Sequence, residues 1–262
     1  MVDFQVNVGS ISSRGGMRMY VYPTNVDEFL AQHRDFLNYL LQWRHSLKPL
    51  RLEELVEDDE HAKNVAFLSV DLIKGFTTEG PLASDRIAAV VQNVVDLFKK
   101  AYDAGVRDFI LVQDRHPEDS LEFEAYGRHA AEGSREAETA DDLLALPFSS
   151  QFIYFYKKSL SPAIGTGLDE WIEAHPWIRK VVVVGDCTDL CVYQSSMFCK
   201  MWSNVYGRRI EIIVPENCVQ TYHVGVEEAK AAGLMPHDGD LLHLLFLYHM
   251  ALNSIRVVTH IE

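Results

Sequence analysis

The feature that most constrains the fold is the alternation, from residue 65 onward, of short β-branched runs with helical stretches. The runs cover 65–70, 108–113, 152–156, 180–185, 209–214 and 255–259. The run KVVVV at 180–184 is nearly all apolar, as a strand buried on both faces should be. Between the first two runs, Ile87, Val90, Val91, Val94, Leu97 and Ala101 form one helical stripe, with Ser84 or Asp85 as cap and Gly105 as stop. Strands separated by helices imply right-handed βαβ units. The expected fold is α/β: a doubly wound, mostly parallel six-stranded sheet with helices on both faces. In such sheets ligand sites form beyond the carboxyl ends of the strands, so the residues closing each run matter most.

The first 60 residues read differently. The stretch 27–45 patterns as an amphipathic helix and 53–60 as an acidic connector, so 1–60 is an N-terminal extension to a domain spanning 61–262. This extension is expected to pack on the domain or on a partner subunit, and the chain to form a homo-oligomer. A formal charge of −14 argues against nucleic acid and anionic membranes, both of which require surplus Lys and Arg. The longest apolar-rich run, 241–250, is broken by His243 and His249 and is too short to span a bilayer. No basic and apolar leader follows Met1, so no secretory signal is expected. Cysteines at 187, 191, 199 and 218 suit a reducing cytosol better than a disulfide framework, which implies a cytoplasmic protein.

Four strand ends carry the chemistry. Asp71 closes the first run; alone, it reads as a carboxylate capping a turn. Phe76 follows in a Gly-containing loop, where an aromatic lines a pocket or joins the core. The second run ends in Asp114 and His116, with Glu122 and His129 on the same connection. Two nitrogen and two oxygen donors so grouped suit zinc, iron or manganese, against the plainer reading of a polar loop in an acidic protein. The third run ends in Lys157 and Lys158: a solvated pair, or an ammonium beside a thiolate. The fourth run leads through Gly185-Asp186-Cys187-Thr188-Asp189-Leu190-Cys191 into a helix. Cys191 at a helix start gains from unpaired N–H groups that favour a thiolate and can receive an oxyanion; the alternative is a buried core thiol.

Together these segments resemble the isochorismatase-like cysteine hydrolases and, within them, the nicotinamidases. The likeness runs from about Arg51 to Ile261 and rests on SVDLIKGF (69–76), QDRHPEDSLEFEAYGRH (113–129), KKSLSPAIGTGLDEW (157–171) and GDCTDLCV (185–192). It implies a catalytic triad of Asp71, Lys157 and Cys191, with Lys157 preferred over Lys158 because it aligns without a gap. It implies one divalent transition metal, zinc first, on Asp114, His116, Glu122 and His129. Phe76 and Tyr126 become the walls of the substrate pocket, and a cis peptide at 186–187 opens an oxyanion hole from the N–H groups of Cys187 and Cys191. The family's two prolines and cysteine near the third ligand are replaced here by Gly127-Arg128-His129-Ala130, and Pro162 stands where a small residue is usual.

The activity implied is hydrolysis of a small amide, nicotinamide to nicotinate and ammonia, through a Cys191 thioester. Two alternatives stand beside it: a metal-independent hydrolase of a carbamoyl or ureido compound on the same triad, with Arg128 serving a carboxylate, and a non-catalytic binding protein.

Overall fold

The computed structural model describes residues 11–14, 17–20, 22–56 and 61–262. The chain divides into two compact units, one ending at Ser46 and the other running from Leu47 to Glu262. In the first, the strands β1 (Ile11–Arg14) and β2 (Met17–Tyr20) pair antiparallel, and the helix α1 (Val26–Ser46) follows. The acids Asp27 and Glu28 occupy its first turn and Arg44 and His45 its last, matching the helix dipole. The expected amphipathic helix is therefore present, one residue longer at each end.

The second unit holds α2 (Leu52–Val56), β3 (Val65–Val70), α3 (Lys74–Thr77), α4 (Asp85–Asp103), β4 (Asp108–Asp114), α5 (Phe123–Tyr126) and α6 (Asp141–Leu144). It continues with β5 (Ile153–Lys157), α7 (Leu168–Ala174), β6 (Lys180–Asp186), α8 (Cys191–Val205), β7 (Glu211–Pro215), β8 (Val219–Gln220), α9 (Val226–Ala232), α10 (Gly239–Leu252) and β9 (Arg256–Val258). Residues 47–56, assigned to the extension by the sequence, pair instead with the end of the chain: Leu50 bridges Ile261, and the Leu52 N–H donates to Glu262 O at 2.7 Å. Part of the expected acidic connector is helical as α2, and its residues 57–60 lie outside the described residues.

The sheet runs β5-β4-β3-β6-β7-β9, every pair parallel, with β8 added alongside β6. It therefore has seven strands rather than six. The seventh is two residues long, too short to leave a periodic trace in the sequence. Strand order runs outward in one direction through β4 and β5 and in the other through β6, β7 and β9. The reversal lies between β3 and β6, and crevices at such reversals take ligands.

Burial accounts for the pattern. All six residues of β3 and the last six of β6 are buried, as the hydrophobic runs required. On α4, the whole anticipated stripe from Ile87 to Ala101 is buried. Ser84 is its cap by backbone position alone, since its side chain makes no capping hydrogen bond. Gly185 is the tightest point of the central pair: at φ +112° it faces Val70, and an added Cβ would collide with the Val70 carbonyl oxygen. A Gly185→Ala substitution should therefore lower unfolding free energy by at least about 3 kcal/mol in urea denaturation, from collision plus unfavourable φ. A loss below about 0.5 kcal/mol would show that the two central strands separate easily.

Candidate active site

The carboxyl ends of the four middle strands deliver the site. Asp114 and Lys157 are register partners in the parallel β4–β5 pair, so their side chains leave the sheet together on one face. Asp71 follows β3 directly with φ at +53°, a left-handed conformation that turns its carboxylate across the strand ends. Its N–H donates to Val112 O at 2.9 Å, while its own Oδ1 accepts from the Asp114 N–H at 2.8 Å. β6 ends in a cis peptide between Asp186 and Cys187, and Cys191 is the first residue of α8.

These residues meet at one ammonium. Lys157 Nζ lies 2.7 Å from Asp71 Oδ2, 2.5 Å from Asp114 Oδ1 and 3.3 Å from Cys191 Sγ. All four residues are at most 6% exposed. Lys158, one position on, points the other way and is exposed. The two-residue period of β5 thus separates the alternatives that composition left open.

The electrostatics follow from burial and from this one cation. Burial, with the neighbouring Asp114 charge, pushes the Asp71 carboxyl up to about 6 despite Lys157. Burial also penalises the Asp114 carboxylate, but Lys157 and the two nearby imidazoles outweigh it and hold that group well below the ordinary range. Lys157 itself is lifted well above its usual value, because Asp114 and Asp71 outweigh the burial penalty. Burial pushes the Cys191 thiol well up, with Lys157 pulling it back and Asp71 adding to the rise. The helix start alone therefore does not make Cys191 a thiolate in this setting. It needs a base.

A second cluster shares Asp114. His116 and His129 are brought together by a bridge between His116 and Ala131: the His116 N–H donates to Ala130 O at 3.0 Å, and the Glu132 N–H to His116 O at 2.8 Å. Their rings lie 4.6 Å apart. One donor atom from each of Asp114, His116 and His129 falls within 4.8 Å of the others, and all three residues are buried. Glu122, expected as a fourth ligand, is not drawn into this group. It lies half-buried at the start of α5, lining an open cavity of about 570 Å³ with Tyr126, Ser120 and Lys158. Phe76 and Tyr126 both flank the His129 ring, at 5.8 and 6.3 Å between centroids.

The Isochorismatase domain family matches residues 65–239, from the first residue of β3 to the first of α10. The chain belongs to that family. It is an isochorismatase-like hydrolase. Nicotinamidase 1 from Arabidopsis thaliana is 22% identical over 215 residues, covering 76% of this chain and 87% of that protein. Among solved structures, N-carbamoylsarcosine amidase from Thermoplasma acidophilum superposes with a TM-score of 0.54 at 22% identity, over 74% of this chain and 95% of that one. The pyrazinamidase of Pyrococcus horikoshii in complex with zinc gives 0.55 at 17% identity, over 74% and 98%.

The donor chemistry of this family member fits a divalent transition metal. His116 Nε2 is buried without a hydrogen-bond partner and lies 3.4 Å from Asp114 Oδ1. His129 Nδ1 faces Gly127 O at 2.8 Å, and its Nε2 lies 3.8 Å from Asp114 Oδ2. Ser120 Oγ lies 3.3 Å from His116 Nδ1, a supporting contact the sequence did not announce. Arg128, the cation next to His129, is held outward by Glu118 through two contacts of 3.0 and 2.6 Å. Sequence reasoning also missed Asp186, an acid at the end of an otherwise apolar strand. Burial, and then the Asp71 charge, push its carboxyl well above the ordinary range. Among the described residues no helix is long and apolar enough to cross a membrane.

The two lysines give a direct test. Lys157→Met should slow alkylation of Cys191 by iodoacetamide at neutral pH by about tenfold or more, because the cation beside the sulfur is lost. Lys158→Met should leave the rate unchanged. Equal effects would mean that the 3.3 Å contact does not govern the thiol.

Proposed function

We propose that this chain is a cysteine amidohydrolase that cleaves a small carboxamide, nicotinamide first among candidates, to the acid and ammonia. The observation that carries the reading is the Lys157 ammonium, shared by Asp71, Asp114 and Cys191, with Asp114 also one of three buried metal-suited donors beside His116 and His129. The likeness to a nicotinamidase and to a zinc-containing pyrazinamidase supports the substrate class.

In this reading Asp71 takes the proton of Cys191, and Lys157 holds carboxylate and sulfur in register. The thiolate attacks the carboxamide carbon. The N–H groups of Cys187 and Cys191, which donate to no backbone carbonyl among the described residues, receive the developing oxyanion. Asp71 returns its proton to the departing nitrogen, the C–N bond breaks, and ammonia leaves a thioester on Cys191. Asp71 then deprotonates a water, whose oxygen attacks the thioester. The C–S bond breaks, the sulfur recovers its proton, and the acid departs. Phe76 and Tyr126 would flank an aromatic ring. Asp114, His116 and His129 would hold a divalent transition metal, zinc the first expectation. When bound, such an ion supplies Lewis-acid contact to a ring nitrogen or a water.

The competing carbamoyl or ureido reading calls on Arg128 to meet a substrate carboxylate. That guanidinium is already engaged in both directions by Glu118, which favours the uncharged ring amide.

Ammonia release from a panel of nicotinamide, pyrazinamide and N-carbamoyl amino acids should be greatest for the ring amides. Cys191→Ala should reduce it by at least about a thousandfold with the fold intact, whereas Cys187→Ala should be far milder, since only its backbone is used. Residual activity of Cys191→Ala within tenfold of wild type would end the covalent mechanism. Elemental analysis of protein purified under metal-replete conditions should find about one transition metal per chain. His129→Ala should lose it and raise KM for nicotinamide more than it slows Cys191 alkylation, because the triad stands apart from that imidazole. An empty site in the wild-type protein would move the assignment to carbamoyl or ureido substrates.

A further inference from the structure

A second buried acid–base pair lies against the nucleophile turn and has no part in the chemistry above. Asp189 sits midway between Cys187 and Cys191, and its Oδ2 is 2.8 Å from His237 Nε2. The other ring nitrogen, Nδ1, is 2.9 Å from the carbonyl oxygen of Tyr222. Asp189 is 8% exposed and His237 9%, and Asp189 Oδ1 is buried without a hydrogen-bond partner.

His237 thus bridges the Asp189 carboxylate and the Tyr222 carbonyl, one through each ring nitrogen. The Tyr222 ring stacks on His237 with centroids 3.8 Å apart and planes at 16°, which fixes the plane of the imidazole.

The anchor points are themselves fixed. His237 exchanges two backbone hydrogen bonds with Val224, each 2.9 Å. Arg86 on α4 donates to Thr221 O at 3.0 Å and to the Gln220 side chain at 3.1 Å. Gly239 lets the Tyr222 carbonyl approach, since a Cβ there would lie 2.5 Å from that oxygen. Tyr222 and Cys187 both pack against the main hydrophobic core.

We propose that His237 is a positioning residue for the hydrolysis described above: by bridging Asp189 and the Tyr222 carbonyl it clamps the turn from Cys187 to Cys191. The clamp fixes the aim of the two N–H groups assigned to the oxyanion. Its effect belongs in the transition state, because those donors strengthen only as charge develops on oxygen. This function rests on the amidohydrolase reading, but the clamp itself does not.

The test combines a spectrum with kinetics. In protein labelled with nitrogen-15 at histidine, Asp189→Asn should move the His237 ring-nitrogen signals and leave those of the histidines far from it in place. His237→Gln, which has a single nitrogen to bridge both acceptors, should lower kcat on the best amide about tenfold to a hundredfold while KM stays within about threefold. Combining it with Asp189→Asn should cost no more than either change alone. Unmoved His237 signals in Asp189→Asn, unchanged kcat in a folded His237→Gln, or additive losses would each overturn the proposal. Should His237→Gln fail to fold, the Asp189→Asn spectrum and kinetics still decide it. Should the wild type release ammonia from no amide, the functional reading fails while the spectrum still judges the clamp.

Discussion

The ammonium of Lys157 sits between two carboxylates and a thiol in a space closed to water, and the arrangement around it follows from that placement. Two acids at neighbouring strand ends could not both stay charged in such surroundings without a cation between them. With Lys157 present they divide the work. Asp114 is held ionised, which suits it to face two imidazoles and a metal. Asp71 is lifted to about 6, close to the pH at which it must work, which suits it to take and return a proton. The difference in their environments, not in their chemistry, separates the roles.

This division depends on the sheet. Parallel pairing puts Asp114 and Lys157 in register, and the reversal of strand order between β3 and β6 brings Asp71 and Cys191 to the same crevice. No single connection contributes more than a part. The loop from β4 to β5 brings the two imidazoles, β6 and its turn bring the sulfur and the N–H groups, and the segment before α10 brings His237. Family membership and fold similarity agree with this distribution, since the matched region starts at β3 and reaches α10.

Much of this was legible in the sequence because strand-end residues are adjacent in the chain to strong hydrophobic runs. The runs themselves, the helix at α4, the helix start at Cys191 and the gathering of Asp114 with His116 and His129 all follow from local pattern. The short β8 left no periodic trace, and so the strand count fell one short. Lys157 and Lys158 differ only in which side of a strand they occupy, and an exposed edge strand offers weak alternation to settle it. Glu122 shares the connection of the imidazoles but not their group, because at the start of α5 it lines the open cavity instead. His237 meets Asp189 across 48 residues, a separation no motif spans. Asp186 was visible as an acid in an apolar strand, yet only its burial beside Asp71 shows that its charged form is disfavoured.

The positive φ of Asp71 also bears on how this site can change over generations. Among residues with a side chain, asparagine and aspartate enter the left-handed region most readily, and glutamate has no comparable local hydrogen bonding to offset the cost. A longer acid at position 71 would also have to find room among atoms already within hydrogen-bonding distance. The ordinary exchange of aspartate for glutamate is thus closed here, and the accessible neighbour, asparagine, keeps the shape while discarding the base. A lineage that abandons the chemistry has an easy route through that one substitution, and can retain an intact crevice for binding alone.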